Sequence, residues 1–387
     1  MSDIMAKVKE AALKIEGLHP NAIEIGPVVL EAGAIGQIAP YLLESCYRKV
    51  VIAVDNQTYE IAGRKVEKSI AQAGIEVHTV CIDPNAQGDV IADEDSLIQL
   101  ILQLKQFSAE AVIAVGSGTL HDITRFSAYT IDIPFVSVPT APSVDGFNSQ
   151  GAPLILRGDK KTIVTIGPSA IFADLDILTK APSSMVAAGF GDMLGKYTSL
   201  FDWKYGSLTG GEPYSPVVAD MTKRALLECV EHVDEIAART PEGIKLLMGA
   251  LLESGFAMLL FGQSHPASGA EHHLSHYWEM EFLRIGRRQI LHGAKVGVAC
   301  AQIAELYHQL EAESLLPISE QHRQTIRDEI RQIPDAAAIR RLLKVVGGPS
   351  TLEELDIDED LLQRSLKEAH HIRPNRYTLL KAFNEQK

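Results

Sequence analysis

The feature that most constrains this chain is an alternation, from about residue 22 to 180, of short continuous apolar runs with longer stretches of helical character. The runs Val50–Val54, Val77–Ile82, Ala111–Val115 and Phe135–Val138 carry no in-out alternation, which is the pattern of parallel strands covered by helices on both faces. The stretches between them, roughly 57–73 and 94–107, hold little Gly or Pro and are long enough for right-handed crossover helices. A doubly wound α/β domain with a parallel sheet follows. Two more β-prone runs, 152–156 and 161–165, are joined by Arg157-Gly158-Asp159-Lys160, which predicts a hairpin that extends or edges that sheet.

Beyond Ala181 the strand pattern stops. Ile244, Leu247, Met248, Leu251, Leu252 and Gly255 share one face at helical spacing, and Thr240-Pro241 supplies the N-cap and first residue of that helix. Breaks at Gly206–Pro216, Pro317 and Gly347-Gly348-Pro349-Ser350 divide the rest into several helices. The expectation is an α/β N-terminal Rossmann-like domain, residues 1–180, and an all-α C-terminal domain, residues 181–387. Ligands commonly sit in the cleft between two such domains.

Charge narrows the partners. With 36 Lys and Arg against 50 Asp and Glu, a formal charge of -14, the chain lacks the dense basic surface that a phosphate backbone requires. No nucleic-acid partner is expected, and Arg284, Arg287 and Arg288 form a single local basic cluster. Cys46, Cys81, Cys229 and Cys300 are scattered without a C-x-x-C pair, which points to a reducing cytoplasm and away from thiolate metal sites. The mixed charges of Asp3, Lys7, Lys9 and Glu10 predict neither a signal peptide nor membrane insertion.

Gly116-Ser117-Gly118-Thr119-Leu120-His121-Asp122 follows the run Ala111–Val115 directly. Two glycines in a strand-to-helix turn let bare backbone approach a pyrophosphate at a helix N-terminus. His121 occupies the third position of G-x-G-x-x-G, so the ordinary fingerprint is absent and a plain tight turn accounts for the same residues. Asp55 closes the run Val50–Val54, where a carboxylate accepts hydrogen bonds from ribose hydroxyls and repels a 2'-phosphate; this tilts the choice to NAD(H) over NADP(H), against the alternative of a solvated loop aspartate. Thr140-Ala141-Pro142-Ser143, with Asp145 and Ser149 beyond it, forms a third loop after Phe135–Val138 that turn chemistry alone also explains.

The densest chemistry is Gly269-Ala-Glu271-His272-His273-Leu-Ser-His276, then Leu291-His292-Gly293, with Asp192 in Gly189-Phe-Gly-Asp-Met-Leu-Gly195-Lys196. Imidazole and carboxylate together suit zinc, nickel, cobalt or ferrous iron. His272 and His276 share one helix face, yet the glutamate of an H-E-x-x-H motif is missing because position 273 is His. Spacing leaves two assignments: the pair His272 and His276 as ligands, or His272 with His292 and His276 turned to the substrate. A lone histidine would be read as lining a helix interface; four within 21 residues, among glycines, favour a metal.

These motifs taken together resemble the sn-glycerol-1-phosphate dehydrogenase family in its bacterial branch. They are residues 116–122, 140–143, 191–196, 268–272 and His292-Gly-Ala-Lys-Val-Gly-Val298. The family belongs to the dehydroquinate synthase-like superfamily that includes iron-containing alcohol dehydrogenases and glycerol dehydrogenase, and the resemblance runs from about residue 20 to 380. It implies Asp192, His272 and His292 as metal ligands, and Asp145, Asp192 and His276 at the substrate, with His276 and Asp192 catalytic. It places Asp55, Gly118, Thr119, Leu120, His121, Asp122, Thr140, Ala141, Pro142, Ser143 and Ser149 around NAD(H) or NADP(H). It also implies a cytoplasmic homodimer, a link to phospholipid synthesis, and one divalent ion, nickel before zinc. Lys196 departs from the fourth histidine ligand of many iron-dependent relatives, so a three-ligand site is expected.

On that reading, dihydroxyacetone phosphate is reduced by NADH while the metal acts as Lewis acid. Lys196, Lys204, Lys295 and Arg287, which flank the ligand segments in sequence, are the candidates for the substrate phosphate. The competing functions are a glycerol dehydrogenase acting on unphosphorylated polyols, a dehydroquinate-synthase-like lyase, a metal-dependent hydrolase, and a metal- and nucleotide-binding sensor without turnover.

Overall fold

The computed structural model describes residues 2–15 and 25–386; the onset of the alternating pattern near residue 22 lies outside them. Six strands form one parallel sheet: β1 (Val28–Glu31), β2 (Lys49–Val54), β3 (Glu76–Cys81), β4 (Ala111–Gly116), β5 (Phe135–Pro139) and β8 (Ala170–Asp174), in the order β1-β8-β5-β4-β2-β3. Alternate side chains along the strands feed two cores. Val50, Ile52, Val54, Ile113 and Val115 pack with Ile38, Leu42, Val66 and Ile70 of helices α2 (Ile38–Glu44) and α3 (Arg64–Gln72). Val51, Ala53, Val112 and Ala114 pack on the other face with Leu97, Leu100, Leu104 and Ile123 of α4 (Glu94–Phe107) and α5 (Gly118–Thr130). Burial on both faces explains the continuous apolar runs.

Two expectations are corrected. The strands β6 (Gly151–Leu156) and β7 (Asp159–Val164) do pair antiparallel about Arg157 and Gly158, but as a separate two-stranded ribbon outside the parallel sheet. The N-terminal helix α1 (Ser2–Leu13) does not join the sheet domain. Val8, Ala11 and Ala12 are buried in the core of the helical half, and Lys7 pairs with Glu253 at 2.8 Å.

After β8 the named elements are helical. The longer helices that shape the site are α6 (Ser183–Leu194), α7 (Lys196–Thr209), α8 (Pro216–Glu231), α9 (Pro241–Phe261), α10 (Ala270–Arg284) and α11 (His292–Ala312). Thr240 caps α9, accepting from the Gly243 N–H at 3.0 Å with Pro241 in the first turn. This helix is long and apolar enough to cross a membrane, with a mean hydropathy of 1.7, yet Ile244, Leu247, Leu251, Phe256 and Ala257 are wholly inaccessible within the protein core. Val28, Leu30, Ile171 and Ala173 of β1 and β8 belong to the same core, so the sheet edge and the helical half share buried apolar surface.

Glycines set how close α6 and α11 come. A Cβ at Gly293 would collide with the Ala188 carbonyl, one at Gly191 with the Gly293 carbonyl, and one at Gly297 would sit 2.7 Å from a Leu343 methyl. Gly189 opens the same way toward the Pro142 carbonyl, which lets α6 abut the loop after β5. Backbone-to-backbone packing of this kind cannot relax around a methyl group. Gly293→Ala is expected to destabilise by about 1–3 kcal/mol, whereas Gly36→Ala, with open space around it, leaves stability unchanged; thermal unfolding of both variants with metal chelated checks this.

Candidate active site

The close crossing brings the C-terminal turn of α6 against the first turn of α11, and with it Asp192 against His292. His272, in the first turn of α10, completes a cluster whose ligand atoms all lie within 4.8 Å of one another. His276 stands beside this cluster and outside it, its ring centroid 5.5 Å from that of His292 and 6.2 Å from that of His272. Of the two sets that spacing left open, His272 with His292 is the one whose ligand atoms converge with those of Asp192. The Nδ1 of His276 has no protein partner among the described residues.

Glu271 supplies a support that the sequence reading missed. It is fully buried, accepts from His272 Nδ1 at 2.7 Å, from the Gly269 N–H at 2.6 Å and from Thr198 Oγ1 at 2.6 Å. Holding the proton on Nδ1 leaves Nε2 directed at Asp192, 3.5 Å from Oδ1, and raises the basicity of the ring. Burial opposes the charged imidazole, but Asp192 and Glu271 outweigh it and lift the His272 pKa above its ordinary value. A glutamate directly before the first histidine was the available signal.

Lys196 is also fully buried. Its Nζ lies 2.7 Å from Asp145 Oδ2 and 3.3 Å from Asp192 Oδ1, and donates to the Ala267 carbonyl at 3.4 Å. Asp145 also accepts from Ser254 Oγ at 2.7 Å, and its backbone N–H donates to Asp192 Oδ2 at 2.9 Å. Burial alone would raise the pKa of Asp192, but Lys196 and the neighbouring imidazoles hold it ionised. Burial and the charge of Asp192 push Asp145 the other way. Fully ionised, the three buried carboxylates Asp145, Asp192 and Glu271 facing one ammonium leave an excess of two negative charges, which a divalent cation would cancel. One carboxylate oxygen and two imidazole nitrogens, one of them oriented by a second carboxylate, fit such an ion.

The nucleotide-side residues stand at the carboxyl ends of three neighbouring strands: Asp55 after β2, Gly118–Asp122 after β4, Thr140–Ser143 after β5, where open α/β sheets bind ligands. Asp55 caps the next turn, its Oδ1 accepting from the Gln57 and Thr58 N–H groups at 2.8 and 2.7 Å. Two side chains of the turn are engaged within the protein, which leaves their backbone for any ligand. His121 is buried, with Nδ1 bonded to the Ser117 carbonyl and Nε2 to Ser137 Oγ, each at 2.8 Å; burial lowers its pKa to about 4, and it ties α5 to β5 as a neutral ring. Leu120 fills the space above Gly116, where a Cβ would strike its methyl group. The first glycine is thus required by packing inside the turn itself.

Arg125, another residue the sequence reading missed, is wholly buried and pins the loop that carries Asp145 and Ser149. It donates to the Gly146 and Phe147 carbonyls at 2.8 Å, to the Gly151 carbonyl and to Ser149 Oγ. Asn148 of that loop donates to the Leu252 carbonyl at 3.0 Å, fitting over Gly255.

A cavity of about 620 Å³ opens from His276 toward the β6–β7 ribbon, lined in part by Lys160, Lys161, His265, Arg373 and Arg376. No carboxylate is among its lining residues, although the chain carries a charge of -14. None of Lys196, Lys204, Lys295 and Arg287, the candidates for a substrate phosphate, lines this cavity. Lys196 is bound to Asp145, Lys295 to Glu279 at 3.0 Å, Arg287 to Asp356 at 2.8 Å, and Lys204 lies over the Tyr214 ring.

A Rossmann-like parallel sheet followed by a helical half that gathers an aspartate and two histidines is a dehydroquinate synthase-like, iron-containing alcohol dehydrogenase fold. The family model of iron-containing alcohol dehydrogenases matches residues 29–182. Solved structures of a probable glycerol dehydrogenase from Sinorhizobium meliloti and of glycerol dehydrogenase from Schizosaccharomyces pombe share the fold. Both have a TM-score of 0.70, at 17% and 18% identity, covering 93% and 94% of this chain and 95% and 90% of theirs. The chain is 46% identical to glycerol-1-phosphate dehydrogenase [NAD(P)+] of Geobacillus thermodenitrificans (100% of this chain, 98% of that one), and 44% identical to the Bacillus subtilis protein of that name over the same shares. It belongs to the glycerol-1-phosphate dehydrogenase family.

Replacing Glu271 by Gln removes the acceptor charge from His272 without changing its size. Metal affinity is expected to fall about 10- to 100-fold, measured by competition with a chromogenic chelator.

Proposed function

We propose that this chain catalyses the reversible NAD(P)-dependent reduction of dihydroxyacetone phosphate to sn-glycerol 1-phosphate. The observation that carries the reading is the cavity at His276: it starts beside the carboxylate and imidazole cluster and is lined by four cations, Lys160, Lys161, Arg373 and Arg376, with no carboxylate. Such a wall suits an anionic substrate better than the unphosphorylated polyol of a glycerol dehydrogenase. The name shared by relatives at 44–46% identity supports it.

Asp192, His272 and His292 would hold one divalent ion, nickel before zinc, which when bound supplies Lewis-acid polarisation of the substrate carbonyl. Asp55, the turn Gly118–Asp122, Thr140–Ser143 and Ser149 would hold NAD(H), with NADP(H) second, the source of hydride. The chain's own residues do the rest. Lys196 fixes Asp145 and Asp192 relative to each other, and Glu271 orients His272. His276 is buried, and burial with the charges of Lys160 and Arg373 pushes its pKa well below the ordinary value. Burial therefore favours the neutral ring, which can take a proton from the substrate hydroxyl in oxidation and, by accepting one from water on its other nitrogen, relay a proton to the substrate oxygen in reduction. A cytoplasmic homodimer feeding phospholipid synthesis completes the proposal.

With metal restored as nickel or zinc in separate samples, NADH oxidation is expected to prefer dihydroxyacetone phosphate strongly over dihydroxyacetone; equal rates would move the assignment to glycerol dehydrogenase, and no net NADH turnover to a lyase or a sensor. His276→Ala is expected to keep its metal and lose about 100- to 10,000-fold in turnover, while Asp192→Ala and His292→Ala lose both, as read by metal content beside the rate. Asp55→Ala should weaken NADH more than NADPH in a fluorescence titration.

A further inference from the structure

This inference rests on the reading just given, that the substrate is phosphorylated, and asks which residue makes it so. The four cations of the cavity are not equivalent. Lys160 sits 2.6 Å from Glu279, a carboxylate it shares with Lys295. Arg376 is paired with Glu212 and donates to the Ser268 carbonyl at 3.0 Å. Lys161 is exposed on the ribbon, where water already solvates it.

Arg373 is half-buried, and no carboxylate lies within ion-pair reach of it among the described residues. Its partners are hydroxyls instead. Nη1 donates to Ser264 Oγ at 3.0 Å and to Ser268 Oγ at 2.9 Å, and Nη2 donates to Thr162 Oγ1 at 3.1 Å. Desolvation and the neighbouring Arg376 lower its pKa to about 10, with the more distant Glu271 opposing them. Three hydroxyls that accept from the guanidinium each keep a proton of their own to donate. Together they form a fork of charge-assisted donors ringed by O–H donors, which matches a phosphate monoester.

Position supports the same occupant. Ser268 directly precedes the segment Gly269–His272, so it ties Arg373 to the start of the helix that carries His272 and His276. Arg373 and His276 line one cavity, so a substrate held there can face both. Of the expected nucleotide residues, only Ser149 lines this cavity, which separates it from the glycine turn and Asp55.

We propose that Arg373, held by Ser264, Ser268 and Thr162, binds the phosphoryl group of the substrate and sets the preference for phosphorylated over free triose.

The test uses the metal-loaded full chain and compares Arg373→Ala with wild type on dihydroxyacetone phosphate and on dihydroxyacetone. The expected result is a loss of about 10- to 100-fold in kcat/KM for the phosphate ester, carried mainly by KM, with the rate on dihydroxyacetone and the Kd for NADH retained. Inorganic phosphate should compete with the ester in wild type and lose that inhibition in the variant. Arg373→Lys should recover only part of the loss, since an ammonium lacks the planar fork. Equal losses on both substrates, a weakened Kd for NADH, or an unchanged preference would each overturn the assignment. Should Arg373→Ala fail to fold, Arg373→Gln keeps a donor to the hydroxyls without the charge and carries the same expectation. A wild type that shows no preference for the ester would sink the parent reading instead; a preference that survives in the variants sinks only the role of Arg373.

Discussion

Two helices that come from distant parts of the chain meet where neither has a side chain, and the site exists because of that contact. Gly191 on α6 and Gly293 on α11 each lie against the other helix's backbone, at Gly293 and Ala188 respectively. Asp192 and His292 are the immediate sequence neighbours of these glycines, so the approach of the backbones is also the approach of the ligands. Larger residues would widen the crossing by the thickness of a methyl group, more than a coordination shell tolerates. The glycines of the motif 189–195 and of 293–297 are therefore packing residues with a chemical consequence. Gly189 and Gly255 extend the same logic to the loop bearing Asp145, which closes onto α6 and α9 through the Pro142 carbonyl and Asn148.

Burying three carboxylates around one crossing has its own cost, and the structure meets it with hydrogen bonds and one ammonium. An isolated carboxylate in this interior would take up a proton. Asp192 stays ionised because Lys196 and the imidazoles face it, and Glu271 because His272, Thr198 and the Gly269 N–H do. Lys196 removes one unit of that negative charge and anchors Asp145 to Asp192.

The central strands were legible because burial on both faces leaves long apolar runs, and α9 because Thr240-Pro241 is a start signal that needs no tertiary context. The edge strand β1 and the last strand β8 were not singled out: they are short, and their identity rests on pairing with each other across some 140 residues of sequence, as in Val29 with Phe172. The docking of α1 was likewise hidden, since Lys7 and Glu253 meet only in the fold. Asp192 and His292 stood out in the sequence because each adjoins a glycine of the crossing. The cations that line the cavity did not. Proximity in sequence pointed to Lys196 and Lys295, yet a lysine close to buried carboxylates is the one most certain to be neutralised by them.

That last failure says something about how such a site divides its labour. The metal-binding end needs negative charge and receives it from α6 and α10, so any cation near it in space is drawn into an ion pair. A cation that is to meet a substrate must stand away from those carboxylates and be held by groups that do not cancel it. Serine and threonine hydroxyls satisfy both demands, because they orient a guanidinium without neutralising it and can turn their own protons to an incoming anion. Arg373 comes from a turn beyond α11 and Thr162 from the β-ribbon of the other half, so the proposed anion end joins remote segments to the ligand motif through Ser268. The fold shared with glycerol dehydrogenases at 17–18% identity does not by itself determine substrate choice. Discrimination can change at these peripheral segments while the glycine crossing and its ligands stay as they are.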